Sequence, residues 1–241
     1  MTVSKAYIRH NGTYPCDESV FAAMRGFEDR GVETDKFYGF GDIHNLKDLG
    51  HDVLLAGYIG DVWKALDAMG VGRPPSLDYP EELVPFLGRE IRVAKLGDIR
   101  NRNTEGVFVK PVVQKLFTGF VCQGTYDDRI RLAPYPEDED VFVSEVVPFV
   151  SEYRCYVLRD AILSACHYKG DWSKVPNRET VELAVAAYTE APVAYTQDFG
   201  VTADGRTLLI EVNDGFAVGN YGLSSTLYAQ LLEARWQELV P

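Results

Sequence analysis

Residues 193–213 contain two strand-like runs joined by the short stretch "TADGR". Asp204-Gly205 in the middle of such a join is a strong hairpin signal, because a two-residue type I′ turn requires positive φ at both positions. That turn sets Ala203 against Arg206 and, counting outward, Asp198 against Glu211, with Cβ atoms about 5 Å apart. A single dipeptide therefore predicts an antiparallel pair and its register in the last part of the chain.

Like charges so placed repel. Period-two alternation adds Asn213 to the face of Glu211 and turns Leu208, Ile210 and Val212 to the other side. Two carboxylates and an amide oxygen on one spot are costly unless a proton is shared or a cation sits between them. All-oxygen ligation suits a hard ion, Mg²⁺ or Mn²⁺, so Asp198, Glu211 and Asn213 are candidate metal ligands.

The rest of the chain is read around that hairpin. Lys5 to Arg9 is a candidate strand, and a helix capped by Asp17 buries Val20, Phe21, Met24, Phe27 and the stem of Glu28 before Gly31. "DKFYGF", "DVLLAGYI" and "DVWKALDAMGVG" follow as two strands and a helix, a β-α-β-β-α lobe of the α/β class. Pro74, Pro75 and Pro80 disfavour helix and ladder alike and mark a linker at 73–82.

Beyond the linker the pattern is strand-rich and of the α+β class: "REIRVAKL", "GVFVKP", "VFVSEVVPF", "YRCYVL", "AILSACHY", "VAYTQDFGV" and "TLLIEV". Two helices interrupt it, at 178–190 and 224–239, the second with Leu227, Tyr228, Leu231, Leu232 and Trp236 on one face.

A net charge of -12 offers no electrostatic footprint for nucleic acid or an anionic membrane, so neither is expected as a partner. Cys16, Cys122, Cys155 and Cys166 lack C-x-x-C spacing and lie in or near apolar runs, which points to reduced core thiols and a cytoplasmic protein. "MTVSKAYIRHNG" reaches a charge before an apolar segment forms, and no run approaches the roughly 18 apolar residues of a spanning helix.

Asp198, followed by Glu211-Val212-Asn213 at the end of a strand-rich lobe, resembles the metal-binding pattern of ATP-grasp enzymes. "GVFVKP" looks like the strand whose lysine reaches the nucleotide phosphates, which implies that role for Lys110, with Lys95 assisting from the preceding strand. "SEVVPFVSEYR" resembles the hinge between lobes, where adenine pairs near Glu145, Val146 and Val147 and where Glu152 bonds the ribose. "QKLFTGFV", with Lys115, resembles the loop that covers the triphosphate. "FVKP", "EYRCYV" and "DGFAVGNYGL" look most like the clade named for two arginines and one lysine, which implies Arg89, Arg154 and Lys110 for those places.

The resemblance implies a small N-terminal α/β (pre-ATP-grasp-like) lobe at 1–78 and a two-lobed ATP-grasp domain with antiparallel sheets. Residues 79–146 would be its central lobe and 147–241 the lobe carrying the metal ligands. It implies ATP and Mg²⁺ or Mn²⁺ as cofactors, and an ADP-forming carboxylate-amine ligase whose substrates are an unnamed carboxylate and amine: amino acid, peptide or protein terminus. Arg154, Lys115 and Arg89 would then serve the reaction, with Asn220 and Tyr221 closing over substrate. His167, Lys169 and Asp171 could line a substrate pocket, though His167 reads first as a structural residue.

Two departures stand out. Thr196 occupies the place where many peptide ligases of the family carry an arginine, and Pro148 at the hinge has no N–H to give. An alternative of another class, a module that binds nucleotide without catalysis, stays open. Asp198-Phe199-Gly200 also matches the kinase metal triplet, but the glycine-rich loop, the His-Arg-Asp motif and a Walker loop are missing from the sequence.

Overall fold

The carboxylate of Asp17 accepts from the Val20 N–H at 2.8 Å and starts helix α1 (Glu18–Asp29), as the capping pattern predicts. The structure, a computed structural model, describes residues 3–101 and 106–241. Strand β1 (Lys5–Asn11) lies between β3 (Glu33–Phe37) and β4 (Val53–Ala56), parallel to both, and turns back into the short β2 (Tyr14–Pro15). Helices α2 (Phe40–Ile43) and α3 (Ile59–Met69) complete this lobe, so the expected β-α-β-β-α order holds with the short β2 and α2 added.

After α4 (Val84–Leu87), which packs on the C-terminal sheet, the middle lobe is built from β5 (Ile91–Lys95), α5 (Leu96–Asn101), β6 (Val107–Pro111), β7 (Phe120–Cys122), α6 (Tyr126–Leu132) and β8 (Asp140–Glu145). Its antiparallel sheet has the order β5-β8-β6-β7. Val109, Val141 and Val143 pack with Leu96, Ile99 and Leu132 on one face. Pairing of Lys110 with Phe142 and of Lys95 with Asp140 puts both lysines on the opposite face.

The C-terminal lobe holds β9 (Phe149–Leu158), β10 (Ala161–Gly170), α7 (Arg178–Ala187), β11 (Ala194–Thr202), β12 (Thr207–Asp214) and α8 (Ser225–Leu239), with strand order β10-β9-β11-β12. One face packs on α7 through Cys155, Val157, Tyr195, Phe199, Leu209 and Val212. The other supplies Tyr156, Leu158 and Ala194 to a core shared with α8 and the N-terminal lobe.

Helix α8 runs so close to α1 that Phe21 is turned outward, half exposed, while Ala22, Ala23 and Gly26 face inward. A Cβ on Gly26 would overlap the carbonyl oxygen of Ser225, in the backbone of α8. Gly26→Ala is expected to destabilise the chain by about 1–3 kcal/mol, because a backbone cannot step aside as a side chain can. Urea denaturation measures it, and an unchanged midpoint would show that the helices separate freely.

The hairpin differs from its prediction in an instructive way. Its loop has three residues, Ala203 to Gly205, closed by Thr202 N–H to Arg206 O at 2.9 Å and Gly205 N–H to Thr202 O at 2.9 Å. Gly205 alone has positive φ, at 84°. The longer loop moves the register by one residue, and a β-bulge at Ile210 moves it back, so Phe199 faces Leu209 while Asp198 still faces Glu211. The bulge also breaks the predicted alternation: Leu209, in place of Leu208 and Ile210, shares the α7 face with Val212.

All four cysteines are free thiols. Among the described residues, no helix is long and apolar enough to cross a membrane.

Candidate functional site

Lys110 leaves the middle sheet on the face turned to β12, and its ammonium meets the Glu211 carboxylate at 2.5 Å. The same ammonium pairs with Asp78, a residue of the linker. Asp78 also belongs to the edge of β12, since its carbonyl accepts from Val212 N–H at 2.9 Å, and it sits at φ 30°. Sequence reading passes over Asp78: it lies among prolines with no periodic pattern, and only the close approach of two distant segments gives it a role.

The facing pair is held from behind. Arg154, opposite Asp198 on β9, donates Nε to Oδ1 at 2.8 Å and Nη2 to Oδ2 at 2.7 Å. This is a bidentate fork, with both residues buried. Asn213 links the two carboxylates, its Nδ2 lying 3.2 Å from Glu211 Oε1 and 3.4 Å from Asp198 Oδ2. The convergence expected of Asp198, Glu211 and Asn213 is therefore found, with a protein cation on each carboxylate.

These environments drive the two carboxylates apart. Burial pushes Asp198 up, to about 6, against the pull of Arg154. Burial also raises Glu211, but the Lys110 ammonium outweighs it and holds that carboxyl below its ordinary value. Burial pulls Lys110 down, yet Glu211, Tyr79 and Asp78 together keep its ammonium above the usual lysine range.

A cavity of about 530 Å³ opens between the middle and C-terminal sheets. Lys110, Glu211, Asn213 and Arg154 line it, with Lys115 from the loop after β6 and Tyr221 from the turn before α8. Lys115 and Tyr221 both hold left-handed backbone, at φ 64° and 46°, a cost that packed surroundings must offset. The Arg154 guanidinium carbon lies 4.9 Å from the centre of the Tyr221 ring. Thr196 is fully buried on the Asp198 face, with no hydrogen-bond partner for its hydroxyl among the described residues.

Other predicted residues stand apart from this cavity. Lys95 is exposed and pairs with Asp140 at 2.7 Å, two strands from Lys110 on the same face. Glu145, Val146 and Val147 form the crossing from β8 to β9, with Glu145 and Val146 exposed. Glu152 lies on the Arg154 face of β9 and takes an ion pair from Lys169 at 2.6 Å. Asp171 accepts from Ser173 and feels the charge of His167, whose ring packs edge-on to Tyr153 at 5.0 Å, while Lys169 is taken up by Glu152. Arg89 is directed away from the cavity: Nη1 donates to Leu209 O and Nη2 to Ile210 O, each at 2.8 Å.

The oxygens here are of the kind a hard divalent cation takes, although among the described residues no three His, Cys, Asp or Glu side chains are grouped to hold one as they stand. Asp78, Asp198 and Glu211 against Lys110 and Arg154 leave one uncompensated negative charge, and every candidate ligand offers oxygen once the Asn213 amide is turned over.

A family described as an ATP-grasp domain, the second family of its clade, matches residues 86–231. No curated protein matches the chain. Among solved structures, a D-alanine–D-alanine ligase from Bacillus anthracis is similar at 14% identity and a TM-score of 0.61, over 99% of this chain and 97% of that one. The D-cycloserine synthetase DcsG is similar at 13% identity and 0.60, over 96% and 99%. The ATP-grasp ligase PsnB, complexed with a minimal precursor, is similar at 15% and 0.52, over 96% and 99%.

Proposed function

Since the chain belongs to the ATP-grasp family, we propose that it is an ADP-forming ligase that activates a carboxylate as an acyl phosphate and joins it to an amine. The observation that carries this reading is the cavity whose wall holds Lys110 on Glu211 and Arg154 on Asp198, linked through Asn213. Phosphoryl transfer spreads negative charge over several oxygens, and cations fixed in advance on carboxylates in the cavity wall are suited to receive it.

In this reading Asp198, Glu211 and Asn213 would hold Mg²⁺ or Mn²⁺. The ion, when bound, neutralises phosphate charge. Lys110 turns from Glu211 to phosphate oxygens while Asp78 keeps its other side, and Lys115 reaches the triphosphate from the loop after β6. Arg154 meets the acyl-phosphate oxygen in place of the arginine that Thr196 replaces. Adenine lies against the crossing at Glu145, Val146 and Val147, and Glu152 bonds the ribose. Lys110 and Arg154 are the lysine and one arginine of the clade named for two arginines and one lysine, and Arg89 is the other arginine.

PsnB binds a precursor peptide and the D-alanine–D-alanine ligase carries its substrates in its name, so the substrates proposed for this chain are an amino acid or peptide carboxylate and an amine. The test is calorimetry with a non-hydrolysable ATP analogue, with Mg²⁺ and with EDTA, at pH 7.5 and 5.5. A Mg²⁺-dependent gain in affinity is expected at pH 7.5. It shrinks at pH 5.5, because Asp198 takes up a proton below about 6 and a metal ligand must be deprotonated. Absence of nucleotide binding by folded protein would overturn the reading.

A further inference from the structure

We propose that Arg89 is the positioning residue for Glu211: by clasping the β-bulge in β12 it determines where that carboxylate stands. The hairpin loop alone would set Ile210 against Asp198, and the bulge advances the strand by one residue so that Glu211 takes the place. The two carbonyls of the bulge, Leu209 and Ile210, are the ones that Arg89 bonds at 2.8 Å, while Nη1 also reaches Leu87 O at 3.0 Å. A planar guanidinium presents two parallel N–H groups to successive carbonyls, which a lysine ammonium on its flexible stem does not.

Position in the sheet makes the clasp necessary. Strand β12 is the outermost strand of its sheet, so β11 can fix only its inner edge. On the outer edge the carbonyls of 209 and 210 meet Arg89, and the N–H of Val212 meets the Asp78 carbonyl. Glu211 sits between these two anchors. A bulge with no outer anchor is free to slide by one residue, which puts Ile210 in the place of Glu211 at the site. Arg89 thus acts through Glu211: besides a hydrogen bond with the Tyr79 side chain, its guanidinium is spent on the carbonyls of residues 87, 209 and 210.

The inference rests on Glu211 as a metal ligand, and the test separates the two claims. Arg89→Lys keeps the charge and loses the fork. Calorimetry with the same analogue is expected to show Mg²⁺-free affinity within about twofold of wild type and a Mg²⁺-dependent gain lowered by about tenfold or more, the range for loss of a partner that orients a metal ligand. Deleting Ile210 removes the bulge and leaves Glu211 facing Asp198, so Arg89→Lys with Ile210 deleted should regain the metal-dependent part. Hydrogen exchange in ligand-free protein should rise in Arg89→Lys at residues 207–214 and stay unchanged in β9 and β10.

Equal loss of Mg²⁺-free and Mg²⁺-dependent affinity would place Arg89 on the nucleotide and overturn the proposal, as would wild-type behaviour in both. If wild type itself shows no metal-dependent gain, the ligand role of Glu211 falls, and unchanged exchange at 207–214 then overturns the role of Arg89 separately. If Arg89→Lys does not fold, the version lacking Ile210 decides: folding with the metal-dependent gain supports the clasp, and failure overturns it.

Discussion

Replacing Arg154 by methionine is expected to lower stability by about 3–5 kcal/mol, the cost of stranding one member of a buried ion pair. Asp198 is 2% exposed, and with no guanidinium beside it the carboxyl must either hold an unanswered buried charge next to Glu211 or take up a proton, and each is costly. Adding Asp198→Asn removes the stranded charge, so the double variant should recover most of the loss while remaining unable to bind metal. Denaturant unfolding of the three proteins gives the comparison. If the single substitution costs under about 1 kcal/mol, the fork is not the support its geometry describes. If the double variant recovers nothing, the lost quantity is packing of the guanidinium against Tyr168 and Tyr221, whose ring centres lie 5.9 and 4.9 Å from it.

Glu211→Gln is expected to reduce the Mg²⁺-dependent gain in nucleotide affinity by about a hundredfold, or ~2.7 kcal/mol. The amide has the same shape and keeps its place in β12, so the fold should be retained. Lys110 would still be held by Asp78, and phosphate recognition in EDTA should persist or strengthen once a carboxylate facing the cavity is gone. Calorimetry with and without Mg²⁺ reads both parts. An unaltered metal dependence would remove Glu211 from the ligand set and return the Asp198–Glu211 pair to a purely structural role.

The site is legible wherever its logic is local to a strand. Opposition of Asp198 and Glu211 follows from an Asp-Gly turn and an alternation count, yet it comes out correctly only because two deviations cancel. Asp-Gly serves a two-residue I′ turn and a three-residue loop ending in left-handed glycine equally well, and a bulge whose cause lies on another segment has no local signature. The place of Arg89 before β5 is readable and its partners on β12 are not, because those carbonyls lie more than a hundred residues away.

Helix α6 is readable from the chain, yet the strand-rich reading of that stretch passes over it. Thr125 and Asp128 form a capping box, in which Thr125 Oγ1 accepts from the Asp128 N–H and Oδ2 of Asp128 accepts from the Thr125 N–H. Periodicity alone turns Phe21 inward. Its neighbours Ala22, Ala23 and Gly26 take the inner face because the approach of α8 leaves no room for a ring, a tertiary demand that a single helix pattern does not contain.

The core shared by α1, β1 and α8 has a consequence for the order in which the chain can fold. The N–H of Val3 bonds Glu233, and Arg30 pairs with the same carboxylate, so the first strand and helix are finished by a segment more than two hundred residues later. During synthesis the early apolar faces of Val20, Ala23 and Phe27 emerge long before the helix that covers them. Closing such a long loop is slow, and until then those faces are open to other chains. A growing polypeptide of this design would lean on chaperones early, and a fragment ending before residue 225 should aggregate in place of folding as an independent N-terminal lobe.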